Sequence, residues 1–205
     1  FDDHNHPTFM NYREFFVEDI YKDYNLDNLN LVIDAGASVG LFTRYMLRKG
    51  ANRVIAIEPD TRSIEALNHN FNSNDKVEIY PSALSFIDGK TKFYQSPNPL
   101  NSSLDSNWED GSKEVEIQLI SLETLIKSFD KVDLLKLDVE SAEYEIFDNT
   151  PDYVFDKVDR ILLEFHKEQG RLQNITNKLQ NLGFKATDPE RVVTNPEFGN
   201  IYYYK

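Results

Sequence analysis

Short apolar runs rich in β-branched residues alternate along the chain with segments whose apolar residues recur at helical spacing. Leu31-Val32-Ile33, Arg53 to Ile57, Val77 to Tyr80, Val132 to Leu137 and Val158 to Phe165 read as buried strands. Between them, Leu41, Phe42, Tyr45 and Met46 form one face of a helix closed by Gly50. Further helices are predicted over roughly 61–72, behind a Ser121 cap with Leu122, Leu125, Ile126 and Phe129, from about Ala142, and over roughly 168–182 up to Gly183. An amphipathic helix is predicted over 11–24, with Phe15, Phe16, Ile20 and Tyr24 on its apolar side. Asp88-Gly89 predicts a hairpin turn with Thr91 to Tyr94 as the return arm, and Val115 to Ile120 alternates as a strand. Phe184 to Ala186 and Ile201 to Tyr204 are strand candidates in the tail, where the tyrosines would alternate between faces.

This βαβα order predicts an α/β fold with a parallel sheet covered by helices on both faces. Ligands of such sheets bind beyond the carboxyl ends of the strands. Asp34, Gly36, Glu58, Ser82, Asp138, Glu164 and His166 all fall there. No repeat or linker interrupts the pattern, so one domain over 1–205 is expected. The chain begins at Phe1 and not Met, which suggests a processed protein or a domain cut from a longer one.

With 205 residues, 40% of them hydrophobic and 13% aromatic, there is ample material for a core. Acidic residues outnumber basic ones 35 to 22, a formal charge of −13 with no Lys/Arg-rich run. Non-specific contact with a polyanion needs clustered cations, so nucleic acid and anionic membranes are not expected partners. No apolar stretch approaches the ~20 residues of a membrane span, and a cytoplasmic location is expected. The absence of cysteine excludes disulfides, Cys-based zinc sites and thiol nucleophiles.

The strongest chemical signal is the strand, glycine-rich turn and helix over 31–47. Its spacing is G-x-x-x-G at Gly36 and Gly40, unlike the G-x-G-x-x-G of nicotinamide dinucleotide proteins. Asp34 stands just before the first glycine, unhelpful beside a pyrophosphate but suited to a cation. Glu58 lies 22 residues beyond Gly36, at a strand end where a carboxylate can accept from both ribose hydroxyls. An acidic first turn with a ribose acid fits S-adenosylmethionine, which is cationic and carries no phosphate.

These blocks carry a resemblance. VIDAGASVGLFT (32–43), AIEPD (56–60), VEIYPSALS (77–85), NSSL (101–104), LLKLDVESAEYEIF (134–147) and LEFH (163–166) together resemble the FkbM-type methyltransferases, in the family's order. The resemblance implies a class I, Rossmann-like fold: a mainly parallel seven-strand sheet over 31–205, with an inserted hairpin and a helical extension at 1–30. It implies an S-adenosylmethionine-dependent O-methyltransferase, releasing S-adenosylhomocysteine, that acts on hydroxyls of sugars, glycans or polyketide-type products. It also implies that Asp34, Gly36, Ala37, Ser38 and Gly40 line the methionine part of the cofactor. Glu58 would hold the ribose with Pro59 and Asp60 beside it, and Ser82 and Ala83 would lie near the adenine. Two departures stand out: Ser38 where the family often has Asn, and Ser141 where it often has Gly. The second puts the shape of the acceptor pocket in question.

On the acceptor side, Asp138, Glu140 and Glu143 cluster after the fourth core strand, near the expected methyl group. One of them can orient or deprotonate a hydroxyl; Glu143 also reads as an acid at a helix N-terminus. His166, with Glu164 two residues earlier on the same side, is a second candidate base. Asp138, Glu164 and His166 are equally the ligand types of a divalent metal, although no spacing forces one. Asp2, Asp3, His4 and His6 look ligand-like but read as a chain end. Asn101, Ser102, Ser103 and Trp108, in the long polar loop over 95–113, suit a sugar, with hydrogen bonds for its hydroxyls and an aromatic face for its C–H groups. The expected function is methyl transfer to a sugar or glycan hydroxyl, with fusion to glycosyltransferase domains as a further expectation. Three rivals stand: a non-sugar small-molecule hydroxyl as acceptor, methylation of RNA or protein, and a non-catalytic cofactor- or glycan-binding domain of a multidomain protein.

Overall fold

The computed structural model describes residues 7–97, 111–139, 142–166, 169–187 and 198–205. Its central sheet runs β3 (Val77–Tyr80), β2 (Arg53–Ile57), β1 (Leu31–Ala35), β7 (Leu134–Leu137), β8 (Arg160–His166), β10 (Phe198–Tyr204), β9 (Lys185–Thr187). Neighbours from β3 to β8 pair in parallel; β10 is antiparallel to both β8 and β9. The mainly parallel seven-strand sheet expected of a Rossmann-like class I methyltransferase is thus present.

Strand alternation divides the core in two. Leu31, Ile33 and Ala35 of β1 share a cluster with Ile55, Ile57, Leu135, Leu137, Ile161 and Leu163, packed against α4 (Leu122–Lys127), α5 (Glu143–Asn149) and α6 (Gln169–Asn181). The other face carries Val32, Val54, Leu134, Leu162 and Tyr202 against α2 (Leu41–Arg48) and the N-terminal segment. Ala56 on that face meets α3 (Thr61–Phe71) through Leu67 and Phe71. Tyr202 and Tyr203 fall into opposite clusters, as the alternation predicts.

Two local expectations are corrected. Asp88-Gly89 does not fold β4 (Ala83–Ser85) onto β5 (Gly89–Gln95). Instead both strands pair with β6 (Lys113–Ser121), β4 in parallel and β5 antiparallel. The Asp88 carboxylate explains it: it accepts the Ser121 N–H at 2.7 Å and the Thr124 hydroxyl at 2.6 Å, docking the turn on the start of α4. The inserted hairpin is therefore β5–β6. The helix expected over 11–24 also differs: α1 (Pro7–Arg13) runs into a π-helical turn at Glu14–Glu18 and stops. Asp19 there takes a left-handed conformation, φ 47°, with its carboxylate held by the Tyr45 hydroxyl and Lys49. A contact with α2 thus overrides the helical period. Tyr21, Leu26 and Leu29 of the same segment are buried in the α2-side cluster.

Candidate active site

The β1–α2 turn is forced into shape by its neighbours. Gly36 (φ 77°), Ser38 (φ 49°) and Gly40 (φ 89°) are all left-handed, a region only glycine enters cheaply. A Cβ on Gly36 would overlap the backbone carbonyl of Asp138, and one on Gly40 would run into the Phe71 and Leu67 side chains. The Gly36 and Ala37 N–H groups both donate to the Ile57 carbonyl at 3.0 Å, tying the turn to the end of β2. Ser38 adopts φ > 0 without being glycine, at a cost of about 1 kcal/mol or more. Its N–H compensates by donating to Glu58 Oε2 at 2.8 Å. Its Oγ is buried without a hydrogen-bond partner among the described residues.

Glu58, only 7% exposed, follows β2. Oε2 accepts from Ser38 N–H and Oε1 from Asp60 N–H at 2.8 Å, so backbone donors fix both oxygens. Burial raises its carboxyl to about 7; the two N–H bonds oppose that shift without cancelling it. Asp60 is buried and its carboxylate is engaged: it caps α3 at Arg62 N–H, pairs with the Arg62 guanidinium at 2.6 Å and accepts from Gln95. Pro59 lies between these two acids. Ser82 and Ala83 are buried where β3 gives way to β4.

Asp34 is fully enclosed. Its Oδ2 accepts from the Thr43 hydroxyl at 2.7 Å, and Lys136 Nζ lies 3.3 Å from Oδ1 without an aligned hydrogen bond. Burial pushes the Asp34 carboxyl upward against the pull of Lys136 and Thr43. The pair follows from register, since Asp34 and Lys136 are lateral partners on the adjacent parallel strands β1 and β7. The acid expected to face a cation thus already has one in the protein. Lys136 also donates to the Gly36 carbonyl at 3.0 Å and to Asp138 Oδ2 at 3.1 Å, and its Nζ lies 5.7 Å from the Phe42 ring centroid. Burial pulls its pKa down, but Asp138, Asp34 and Glu164 outweigh that and keep it above the ordinary lysine value.

Among the residues expected to serve the acceptor, Asp138 is partly exposed, and its N–H donates to the Ala35 carbonyl. Glu143 is fully buried at the start of α5, with Oε1 accepting the Val139 N–H at 3.3 Å. Glu164 is half-buried on β8, two residues beyond Leu162 and hence on the Lys136 face. His166 ends β8, with its backbone paired to Phe198. The His166 side chain, Glu140, Ser141, Asn101, Ser102, Ser103, Trp108 and the N-terminal Asp2, Asp3, His4 and His6 lie outside the described residues. No group of three His, Cys, Asp or Glu able to hold a metal ion occurs among the described residues.

Two residues of this region escaped the sequence reading. Lys136 interrupts an otherwise leucine-rich strand; a charge there must find a partner, and Asp34 is the matching anomaly in β1. Tyr21 is the other. Its ring packs among Phe15, Tyr24, Phe42 and Tyr45, with centroids 5.8–6.2 Å away. Burial raises its phenol well above the ordinary value, and the carboxylates of Glu164, Asp138 and Glu14 add to the shift. The N-terminal segment therefore brings a hydroxyl within electrostatic reach of the acids at the ends of β7 and β8. No sequence period marks this.

The described residues suit S-adenosylmethionine on three observations. Ser38 Oγ is an orphaned polar atom in the turn. The turn lets backbone approach where a side chain would clash. Each Glu58 oxygen can take a second hydrogen bond beyond its backbone donor.

Comparison with known proteins bears on the family and the fold. Residues 34–186 match a family model described as a methyltransferase FkbM domain. A relative named methyltransferase sdnD, from Sordaria araneosa, is 27% identical over 86% of this chain and 82% of its own length. A relative named AMB antimetabolite synthetase AmbE, from Pseudomonas aeruginosa, is 24% identical over 86% of this chain but only 10% of its own length. Among solved structures, methyltransferase FkbM from Methylobacillus flagellatus superposes with a TM-score of 0.59 at 14% identity, covering 95% of this chain and 48% of that one. A fibrillarin pre-rRNA processing protein of Methanococcus jannaschii gives 0.51 at 12% identity, over 87% and 67%. No helix among the described residues is long and apolar enough to cross a membrane.

Proposed function

The chain belongs to the FkbM methyltransferase family, and from that premise we propose that it moves a methyl group from S-adenosylmethionine to a hydroxyl of a sugar or glycan, in a cytoplasmic setting. The observation that carries the cofactor is Glu58: a buried carboxylate at the end of β2, pre-aimed by two backbone N–H groups. S-adenosylmethionine, when bound, supplies an electrophilic methyl on a sulfonium centre. The chain's own groups do the rest. Glu58 accepts from the ribose hydroxyls, with Pro59 and Asp60 fixing its approach. Gly36, Ala37, Ser38 and Gly40, backed by Asp34, accommodate the methionine end, and Ser82 and Ala83 bound the adenine. Asp138 and Glu164, with His166 and Glu140 as further candidates, would orient the acceptor hydroxyl by accepting its hydrogen bond. Asn101, Ser102, Trp108 and Glu143 are the candidates for contact with the acceptor. Aligning hydroxyl and methyl in this way is worth several kcal/mol without any base (~7 or more in favourable cases).

One observation favours a second acceptor, a hydroxyl of a non-sugar small molecule: a relative of this chain is a small part of a protein named an antimetabolite synthetase. Incubation with methyl-labelled S-adenosylmethionine and a panel of deoxysugars, glycans and small-molecule alcohols, with and without chelator, tests both. Label on a sugar supports the primary reading. Label only on other alcohols supports the second. Cofactor binding without transfer to any acceptor supports a non-catalytic domain.

Glu58 also predicts a pH dependence. Its carboxyl titrates at about 7 in the free protein, and only the ionised form accepts from two hydroxyls. Cofactor binding should therefore weaken below pH 7, approaching about tenfold per unit. The stability of the free protein runs the other way. A folded-state pKa raised from 4.5 to about 7 favours folding fully below 4.5, and that contribution is lost as pH rises through 7. Calorimetric titration with S-adenosylhomocysteine from pH 5.5 to 8 reads the first effect, and melting of the free chain reads the second. A flat affinity profile that Glu58→Gln leaves unchanged would remove the assignment.

A further inference from the structure

We propose that Lys136 is a positioning residue that fastens the glycine turn to Asp138 and so joins the cofactor half of the site to the acceptor half. The simpler role is counterion to the buried Asp34, and the geometry speaks against that as the whole account. An ammonium has three protons to give. Two of Lys136's hydrogen bonds go to the site rim, to the Gly36 carbonyl at 3.0 Å and to Asp138 Oδ2 at 3.1 Å. From Lys136, Asp34 receives the 3.3 Å ion pair, and its Oδ1 has no hydrogen bond among the described residues. A pure counterion would aim its protons at the acid it neutralises.

The two turns that Lys136 ties are already in contact. Asp138 N–H donates to the Ala35 carbonyl at 3.1 Å, and the Gly36 Cα sits so close to the Asp138 carbonyl that no Cβ fits. Lys136 adds the side-chain link. It holds one Asp138 oxygen, which fixes the carboxylate's rotation and leaves Oδ1 as the oxygen it does not take. Its own movement is restricted by burial and by the Phe42 ring. A shift of either turn would therefore be felt by the other through this ammonium as well as through the backbone.

This inference rests on the cofactor reading above, and the test separates the two. Lys136→Met, Asp138→Asn and the double variant are compared with the wild-type chain for S-adenosylhomocysteine affinity by calorimetry and for melting temperature. Where Lys136→Met does not fold, Lys136→Arg, which keeps the charge beside Asp34 but replaces the compact ammonium with a planar fork, takes its place in the cycle. If Lys136 acts through Asp138, each single variant weakens binding about tenfold and the double variant is no more than about threefold weaker than the worse single one. Losses that multiply, or a lowered melting temperature with unchanged affinity, overturn the positioning role and leave a counterion. No binding by the wild-type chain overturns the cofactor reading and this inference together.

Discussion

Gly36→Ala should lower the melting temperature by about 10 °C and abolish measurable cofactor binding. Two costs add. The residue sits at φ 77°, which an alanine enters at roughly 1–2 kcal/mol. The new methyl must also displace the Asp138 backbone, which is itself held by the Ala35 carbonyl. Together these amount to about 3 kcal/mol, and in a chain of this size each kcal/mol moves melting by ~2–4 °C. Binding should suffer more than folding, because the relief is a widened gap between the glycine turn and the Asp138 loop, where the proposed cofactor and acceptor halves of the site meet. Differential scanning calorimetry and S-adenosylhomocysteine titration on one sample check it. A variant with wild-type melting and affinity would mean that the two turns are not apposed as described.

Glu58→Ala should weaken S-adenosylhomocysteine binding by at least about a hundredfold. Hydrogen bonds to a charged group contribute ~1.5–3 kcal/mol each, and two would be lost with the ribose. The Ser38 and Asp60 N–H groups would lose their acceptor as well. Ser38 would then keep its left-handed strain with nothing to offset it, so the turn should loosen too. Glu58→Gln separates these effects. Its amide oxygen can still receive one backbone N–H, so the turn should hold while a ribose acceptor is lost, and the expected loss is about tenfold. Unchanged affinity in the alanine variant would sink the ribose assignment.

Much of the fold was legible because it rests on local alternation. β2 and β3 occupy the predicted residues, β1 and β8 differ by a residue or two at their ends, and the Ser121 cap forms as expected, its hydroxyl oxygen accepting from Thr124 N–H at 3.1 Å. What failed was decided by distant contacts. Asp88-Gly89 has the composition of a hairpin turn, but Asp88 spends its carboxylate on α4 and leaves β5 to pair with a strand that begins 18 residues after its own end. The first helix carries a sound apolar period, yet Tyr45 and Lys49 fix Asp19 in a conformation that ends it. The glycine turn and Glu58 were readable from spacing alone. Lys136 was not, because a period count treats it as a polar interruption. Only the β1–β7 register sets it against Asp34. Tyr21 lies before residue 34, outside the stretch that matches the family, and nothing in its neighbours' spacing hints at the acids it approaches.

The two faces of the sheet have unequal freedom to change. Asp34, Lys136 and Glu164 all occupy even-numbered strand positions, while the odd-numbered positions of β1, β7 and β8, with Ile55 and Ile57 of β2, carry aliphatic or aromatic side chains packed under α4, α5 and α6. Volume-conserving exchanges on the odd face can therefore accumulate at a cost in stability alone. On the even face, a charge cannot be replaced without its partner on the next strand. Lineages of such a sheet would be expected to drift on one side and to change in matched pairs on the other. The odd face is also where an engineer could raise thermal tolerance without retuning the chemistry.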